Sequence, residues 1–202
     1  MRSFFHCLTN GLAALIAAVA LGSAIAQTAP DEQVRRVSSE VTAILKADPG
    51  VLSNPAKLRD LIETRLLPNF SFTRMTQLAM GRNWARATPE QQAALTREFQ
   101  TLLVRTYSGA LANFRNNTIE IRPLRMQPSD TDVTVRTLVL QPNGQGIPID
   151  YAMEKGPDGR WLAYDVTVGG VSLVTNYREE FNAVVRDQGV DALIRQLQTR
   201  NR

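Results

Sequence analysis

The chain has 202 residues, of which 23 are Lys or Arg and 19 are Asp or Glu, so its formal net charge is only +4. This mild positive charge is spread along the chain without a cationic run, which argues against nucleic acid as a partner. The single Cys and the single His, Cys7 and His6, both lie near the N-terminus. The rest of the chain therefore excludes disulfides, structural zinc sites, and thiol or imidazole catalysis.

The first residues have the features of an export signal. They combine a basic Met1-Arg2 start, a largely apolar run over residues 8–21 and an Ala24-Ile25-Ala26 cleavage site. A transmembrane anchor is the alternative, but the apolar run is shorter than the roughly 20 residues that a spanning helix needs. We predict a cleaved signal peptide over residues 1–26, a single domain over residues 27–202 and a location in the periplasm.

Four helices are predicted before any strand. Residues 31–46 place apolar side chains at helical spacing and acidic residues in the first turn. Residues 54–68 begin with an Asn-Pro cap, and residues 71–80 form a short helix that ends at a glycine. A capping box starts the longest helix at Thr88, and its apolar spacing continues to Phe114 over about seven turns.

From Thr118 onward the hydrophobic period changes from helical to alternating. Strands are predicted over residues 118–126, 133–140, 147–153 and 161–168. Short turns join these strands, so the sheet is expected to be mainly antiparallel. The first strand contains a proline, which places it at an edge of the sheet.

The last strand leads directly into a helix. Its alternation assigns Leu162, Tyr164, Val166 and Val168 to one face and Trp161, Ala163, Asp165 and Thr167 to the other. Gly169-Gly170 then allows a sharp bend, after which a helix runs to Gly189 and a short amphipathic segment follows. The predicted fold class is α+β: a curved, mainly antiparallel sheet of about four strands packed against the long helix and further N- and C-terminal helices.

Asp150 and Asp165 are the candidates for acid–base catalysis, because they fall on adjacent predicted strands. The alternation points both carboxylates away from the apolar face, and surface pairing with Arg136 or Arg160 is the simpler role. The sequence contains no glycine-rich phosphate loop, metal-ligand spacing or nucleophile elbow. We therefore expect no catalytic residue, no metal and no cofactor, with a periplasmic enzyme that uses the two aspartates as the alternative.

Several arginines are candidates for intermolecular contacts. Arg82, Arg86, Arg105 and Arg178 could meet acidic partners or phosphate, while a plain solvated surface is the simpler interpretation. Trp84 stands between two of these arginines. It is either a surface anchor or a side chain that packs across the helix junction.

The inward-facing apolar side chains allow two interpretations. A curved sheet over a long helix can close on a dry core, which the pattern alone favours. It can instead leave an elongated apolar cavity of the kind that binds small apolar ligands.

Two stretches of the chain resemble the MlaC family, the periplasmic lipid-shuttle components of the Mla (maintenance of lipid asymmetry) system, also known as toluene-tolerance proteins. They are LLPNFSFTRMTQLAMGRNWARATPEQQAALTREFQTLLVRTYSGAL, residues 66–111, and VGGVSLVTNYREEF, residues 168–181. With the signal peptide and the strands between them, they cover nearly the whole mature chain. No short catalytic motif is involved, so the resemblance implies a fold and a ligand class but no reaction.

In that family a phospholipid lies with its acyl chains between a curved sheet and helices, and its headgroup faces outward. The resemblance implies a soluble periplasmic phospholipid carrier with an apolar pocket, and a hopanoid-associated relative is the alternative. The implied partners are an inner-membrane ABC transporter complex with its membrane-anchored substrate-binding-type subunit and an outer-membrane lipoprotein–porin complex. Carried over to this chain, the lipid-binding residues are Tyr107, Leu111, Val135, Val139, Ile149, Tyr151, Met153, Tyr164, Val166, Val168, Leu173, Val174, Tyr177 and Phe181.

Overall fold

The computed structural model describes residues 28–111 and 116–202. Its α-helices over these residues are α1 (Pro30–Ala47), α2 (Pro55–Leu61), α3 (Phe72–Met80), α4 (Pro89–Tyr107), α5 (Leu173–Gln188) and α6 (Val190–Arg200). Its strands are β1 (Thr118–Ile121), β2 (Asp132–Leu140), β3 (Gly146–Lys155), β4 (Trp161–Val168) and β5 (Val171–Ser172). The strands form one antiparallel sheet in sequence order, which confirms the predicted α+β class.

Two expectations concern residues that the structure does not describe. The predicted signal peptide lies outside the described residues, and so does Phe114, the last residue of the predicted long helix. Within residues 28–111 and 116–202, no helix combines the length and the apolar character that crossing a bilayer requires.

Local capping chemistry explains where two of the helices begin. The side chain of Asn54 accepts hydrogen bonds from the backbone N–H groups of Ala56 and Lys57, at 3.0 and 3.2 Å. Thr88 and Gln91 form the predicted capping box, in which each side chain accepts from the other residue's backbone N–H. These bonds satisfy N–H groups that have no partner within the helix, so both predicted starts are confirmed.

Two of the predicted helices change helix type along their length. α2 continues through a π-helical turn over Ile62–Leu66 and a 3₁₀ turn over Leu67–Asn69. α4 ends at Tyr107 and passes into a 3₁₀ turn over Ser108–Ala110, after which Leu111 is again α-helical. Serine and glycine in that turn have weak helix propensity, which accounts for the interruption of the α-helix.

The sheet differs from its prediction at both edges. β1 ends at Ile121, before Pro123, because proline cannot donate a hydrogen bond to the neighbouring strand. β5 adds a fifth strand of only two residues after the turn at Gly169-Gly170, where φ is +57° and +86°. Two residues are too few to show an alternating pattern, so the sequence did not predict this strand.

A β-bulge interrupts the pairing of β3 with β4. Ala152 pairs with Asp165, but the next residue of β3, Met153, pairs with Ala163, which leaves Tyr164 without an opposing residue. An extra residue in one strand shifts the alternation of the side chains by one position beyond it. The faces that regular alternation assigned to the first half of β4 are therefore wrong.

The bulge changes which residues of β4 face the interior of the domain. Trp161 and Ala163 are 2% and 3% exposed, and they lie on the same side of the sheet as Val166. Tyr164 lies on the opposite side, where its hydroxyl donates a hydrogen bond to Asp132 at 2.9 Å. Regular alternation had placed Tyr164 on the same face of the strand as Val166, and Trp161 and Ala163 on the opposite face.

The largest apolar cluster lies between α3, α4, α5 and α6. Its centre is the ring of Phe99, whose centroid is 5.1 Å from that of Tyr177 and 5.1 Å from that of Phe181, both edge-on. Phe99 and Phe181 are fully buried. Edge-to-face aromatic pairs of this kind add to the stabilisation that comes from burial alone.

Candidate functional site

A cavity of about 520 Å³ lies between the sheet, α1 and the C-terminal part of α4. From the helical part of the chain it is lined by Gln33, Val34, Val37, Ser38, Val41, Ile62, Leu66, Leu67, Asn69, Phe70, Phe72, Met75, Leu103, Val104, Tyr107, Ser108, Ala110 and Leu111. From the sheet and the start of α5 it is lined by Ile149, Tyr151, Met153, Ala163, Val166, Val168, Val171 and Leu173. None of these described lining residues carries a charge, so the cavity suits an apolar ligand.

The cavity brings together eight of the fourteen residues that were carried over as lipid-binding. These are Tyr107, Leu111, Ile149, Tyr151, Met153, Val166, Val168 and Leu173. That any of them contacts lipid stays a prediction, but the residues share one apolar surface across four elements of the fold.

The other six of these residues lie away from the cavity wall. Val135 packs in a cluster with Val34 and Trp161, and Val139 packs against Ile149. The bulge carries Tyr164 to the opposite side of the sheet. Val174, Tyr177 and Phe181 belong to the cluster between the helices. The apolar face of α5 is therefore buried against α4 and the neighbouring helices, where the resemblance had implied contact with lipid.

One wall of the cavity is α1, which was not predicted as part of the site. Val34, Val37 and Val41 of this helix line the cavity. Gln33 connects this helix to the sheet, because its Nε2 donates a hydrogen bond to the carbonyl of Trp161 at 2.7 Å. The same Nε2 donates to Oδ1 of Asn69, in the segment before α3, at 3.2 Å. The helical spacing of the valines was visible in the sequence, but the surface that they pack against was not.

The segment between α2 and α3 forms another unpredicted wall. Phe70 pairs with Ala163 through an isolated parallel bridge, and the N–H of Ser71 donates to the carbonyl of Ala163 at 2.9 Å. The rings of Phe70 and Phe72 lie 5.8 Å apart, and both line the cavity. This segment is held by a backbone contact with β4, which no side-chain pattern reveals.

Two tyrosines, Tyr107 and Tyr151, line the cavity together with the polar side chains of Gln33, Ser38, Asn69 and Ser108. Burial raises the pKa of Tyr151 to about 12 and also raises the pKa of Tyr107. An apolar enclosure solvates the charged phenolate less well than bulk water does, so the neutral form is favoured. An unperturbed tyrosine already has a pKa of about 10, so both side chains are uncharged near neutral pH, which keeps the wall compatible with hydrocarbon.

The hairpin between β4 and β5 lies at an opening of the cavity. Val168 is 38% exposed and Val171 is 59% exposed, although both belong to the cavity lining. The turn at Gly169-Gly170 joins them, and its positive φ angles favour glycine. An apolar surface thus continues from the cavity wall to the outside of the protein at this hairpin.

The geometry gives Asp165 a structural role. Its carboxylate accepts hydrogen bonds from the N–H of Val174 at 3.1 Å and from the hydroxyl of Ser172 at 2.5 Å, at the start of α5. It also accepts from the N–H of Val166 at 2.8 Å. Asp150 lies opposite Arg136 in the sheet. In the part of the chain that the structure describes, no group of three or more His, Cys, Asp or Glu side chains could hold a metal ion.

Asp165→Asn is expected to lower the free energy of unfolding by about 1.5 kcal/mol, because hydrogen bonds to a charged acceptor are worth more than those to an amide. Chemical denaturation measures this change. Asp150→Asn is the matched control, and it should stay within about 0.5 kcal/mol of the wild type because its carboxylate does not cap a helix. Equal losses for the two variants would contradict the capping role.

The chain is similar to known proteins in sequence and in structure. Residues 35–199 match the family model described as "MlaC protein". The intermembrane phospholipid transport system binding protein MlaC of Haemophilus influenzae is 24% identical over 201 residues, which cover 98% of this chain and 92% of that protein. The toluene tolerance protein ttg2D of Pseudomonas putida is 28% identical over 186 residues, covering 91% and 85%.

A solved structure extends the similarity to the fold. The phospholipid-binding protein from Ralstonia solanacearum, determined in complex with a phospholipid, is 40% identical to this chain. The two structures superpose with a TM-score of 0.79 over 87% of this chain and 97% of that one. The family model covers most of the sequence, and a relative with the same fold covers the same region. The chain therefore belongs to the MlaC family.

Proposed function

We propose that this protein is a soluble periplasmic carrier that holds the acyl chains of a phospholipid in the cavity and shuttles the lipid between membrane complexes. The observation that carries the proposal is the cavity of about 520 Å³ between sheet and helices, whose described lining residues carry no charge. The Ralstonia solanacearum relative, which shares this fold, binds a phospholipid. The export signal predicted over residues 1–26 supports the periplasmic location.

The physical chemistry of acyl-chain burial is consistent with a carrier. Each CH₂ group removed from water contributes about 0.8 kcal/mol, so some thirty carbons contribute roughly 24 kcal/mol. A bilayer stabilises the same chains by about the same amount. Exchange between protein and membrane is then nearly neutral in free energy, while release of the lipid into water is strongly unfavourable.

A nearly neutral exchange does not set a direction of transport, so other components have to supply it. We propose the two partners that the family resemblance implies: an inner-membrane ABC transporter complex with its membrane-anchored substrate-binding-type subunit, and an outer-membrane lipoprotein–porin complex. The chain has no nucleotide-binding motif of its own. ATP hydrolysis by such a transporter would then drive net movement of the lipid.

Mass spectrometry of the natively purified protein tests the cargo. We expect organic extraction of protein prepared without added lipid to release phospholipid, at close to one molecule per chain. Recovery of hopanoids in place of phospholipid would favour the hopanoid-associated alternative. Recovery of no lipid at all would contradict the carrier function.

A second arm of this experiment separates the carrier from the enzyme alternative. The double variant Asp150→Asn and Asp165→Asn should retain the phospholipid, because neither carboxylate lines the cavity. Conversion of the extracted lipid to a cleaved product by the wild type, and not by this variant, would support an enzyme that uses the two aspartates.

A further inference from the structure

A cationic groove lies on the outside of the helical layer, apart from the cavity. It is lined by Gly81, Arg82, Asn83 and Arg86 of the 3₁₀ turn over Gly81–Arg86 and by Arg178, Asn182 and Arg186 of α5. Its volume is about 700 Å³. Three of the four arginines singled out in the sequence meet here, while Arg105 lies elsewhere and donates to the carbonyl of Asn201.

Local structure holds the two walls of the groove together. Nδ2 of Asn83 donates to Oδ1 of Asn182 at 2.7 Å, which joins the 3₁₀ turn to α5. Nε of Arg178 donates to the carbonyl of Leu78 at 3.0 Å, which fixes that side chain beside α3. Gly81 has φ +54°, a backbone conformation that favours glycine, and it turns the chain from α3 into the groove. Trp84 packs against the helical core rather than projecting into solvent.

The positive charge of the groove is only partly neutralised. Arg186 forms an ion pair with Asp187, with 2.8 Å between Nε and Oδ1. Within residues 28–111 and 116–202, Arg82, Arg86 and Arg178 form no ion pair with a carboxylate. Guanidinium groups present a planar fork of N–H donors that matches carboxylates, so this surface is complementary to an anionic partner.

The shape of the groove distinguishes between anionic partners. Arg178, Asn182 and Arg186 follow one another every four residues, so the groove extends for about 12 Å along α5. A single phosphate could contact all four arginines only if their side chains converged on one point, against their mutual repulsion. A flat membrane surface does not match the concave shape of the groove. An extended peptide repeats the side chains of one face about every 6.7 Å, so acidic side chains four residues apart lie about 13 Å from each other, close to the rise of about 12 Å from Arg178 to Arg186.

We infer that the groove is a docking site for an extended acidic segment of a partner protein, whose Asp or Glu side chains pair with Arg82, Arg86 and Arg178. On α5 the groove begins at Arg178, a rise of about 7.5 Å beyond Leu173 of the cavity wall, and it ends at Arg186, about 20 Å from Leu173. The inference goes beyond the proposed function, since it holds whatever the cavity carries.

Fluorescence anisotropy with a labelled peptide of alternating Asp and Ser residues, long enough to span the groove, tests this inference. The probe is added to the mature full-length protein, and a peptide with Asn in place of Asp is the negative control. The triple variant Arg82→Gln, Arg86→Gln and Arg178→Gln should weaken binding by about tenfold, because it removes three ion pairs. The triple variant Arg97→Gln, Arg122→Gln and Arg195→Gln removes the same charge from exposed positions outside the groove, and it should change the Kd by less than about twofold.

Further measurements give the outcomes that would overturn the docking site. Equal weakening by the two triple variants, or binding of the Asn peptide as tightly as the Asp peptide, would show that the groove has no specific role. Groove-dependent binding of inorganic phosphate or of phosphatidylglycerol vesicles, without binding of the acidic peptide, would assign the arginines to a different ligand. Photo-crosslinking of the peptide to the wild-type protein does not depend on the folding of any variant. Crosslinks within residues 81–86 and 178–186 support the site, and crosslinks elsewhere reject it.

Discussion

Phe181→Ala is expected to lower the free energy of unfolding by about 3–5 kcal/mol, the largest loss that we predict for a single substitution. The side chain is fully buried, and its ring packs edge-on against Phe99. Removing the ring leaves a void that rigid neighbours on three helices cannot fill, so lost contacts add to lost hydrophobic burial. Chemical denaturation followed by circular dichroism measures the change.

The same substitution separates the helical core from the cavity. Folded Phe181→Ala protein should carry as much phospholipid per chain as the wild type, because Phe181 does not line the cavity. Val104→Ala is the matched control, since Val104 is half-buried on the cavity wall and its replacement opens no closed void. We expect that control to change the free energy of unfolding by less than about 1 kcal/mol. Normal stability with lost lipid in Phe181→Ala would instead place Phe181 in contact with the ligand.

Val104→Glu is expected to reduce bound phospholipid at least tenfold while leaving the empty protein folded. In the lipid-free protein, water can fill the cavity and hydrate the new carboxylate. Acyl chains would remove that water and leave an unpaired charge in hydrocarbon, at a cost of several kcal/mol, and about 1.4 kcal/mol already corresponds to a tenfold loss. Lipid extraction and mass spectrometry give the occupancy, and thermal unfolding reports on the fold.

A charge on the outer surface of the same helix is the control for Val104→Glu. Thr101 is exposed and lies on α4, so Thr101→Glu adds the same charge without entering the cavity. It should leave the lipid content unchanged. A Val104→Glu protein that purifies with a full complement of phospholipid would show that acyl chains do not pass this part of the cavity wall.

Much of the fold could be predicted because its signals are local. The capping box at Thr88, the Asn-Pro start at Asn54 and the alternation from Val133 to Val139 each depend on residues within a few positions of one another. Backbone hydrogen bonds and the period of burial produce such patterns directly. The element types followed from them, and so did the antiparallel order of the sheet, since short turns join its strands.

The composition of the cavity wall could be predicted only in part, and the limit is visible in β4. Both sides of this strand contact other elements, Trp161 and Ala163 on one side and Tyr164 on the other, so apolar residues occur at every phase of the alternation. A bulge under these conditions leaves no trace in the hydrophobic pattern. One extra residue was enough to exchange Tyr164 for Ala163 on the cavity wall.

The sequence by itself determined the element types, the absence of thiol and imidazole chemistry after the N-terminal segment, and a family resemblance that implied a lipid-sized apolar space. Only the tertiary structure decided which apolar faces meet one another. α1 and Phe70 close the cavity, Phe181 is buried among the helices, and four arginines from two distant parts of the sequence share one groove. The physical reason is that apolar side chains are favoured on any face that is removed from water, whether protein or ligand covers it. A hydrophobic pattern therefore indicates that a side chain is hidden from water, and not whether its neighbour is protein or ligand.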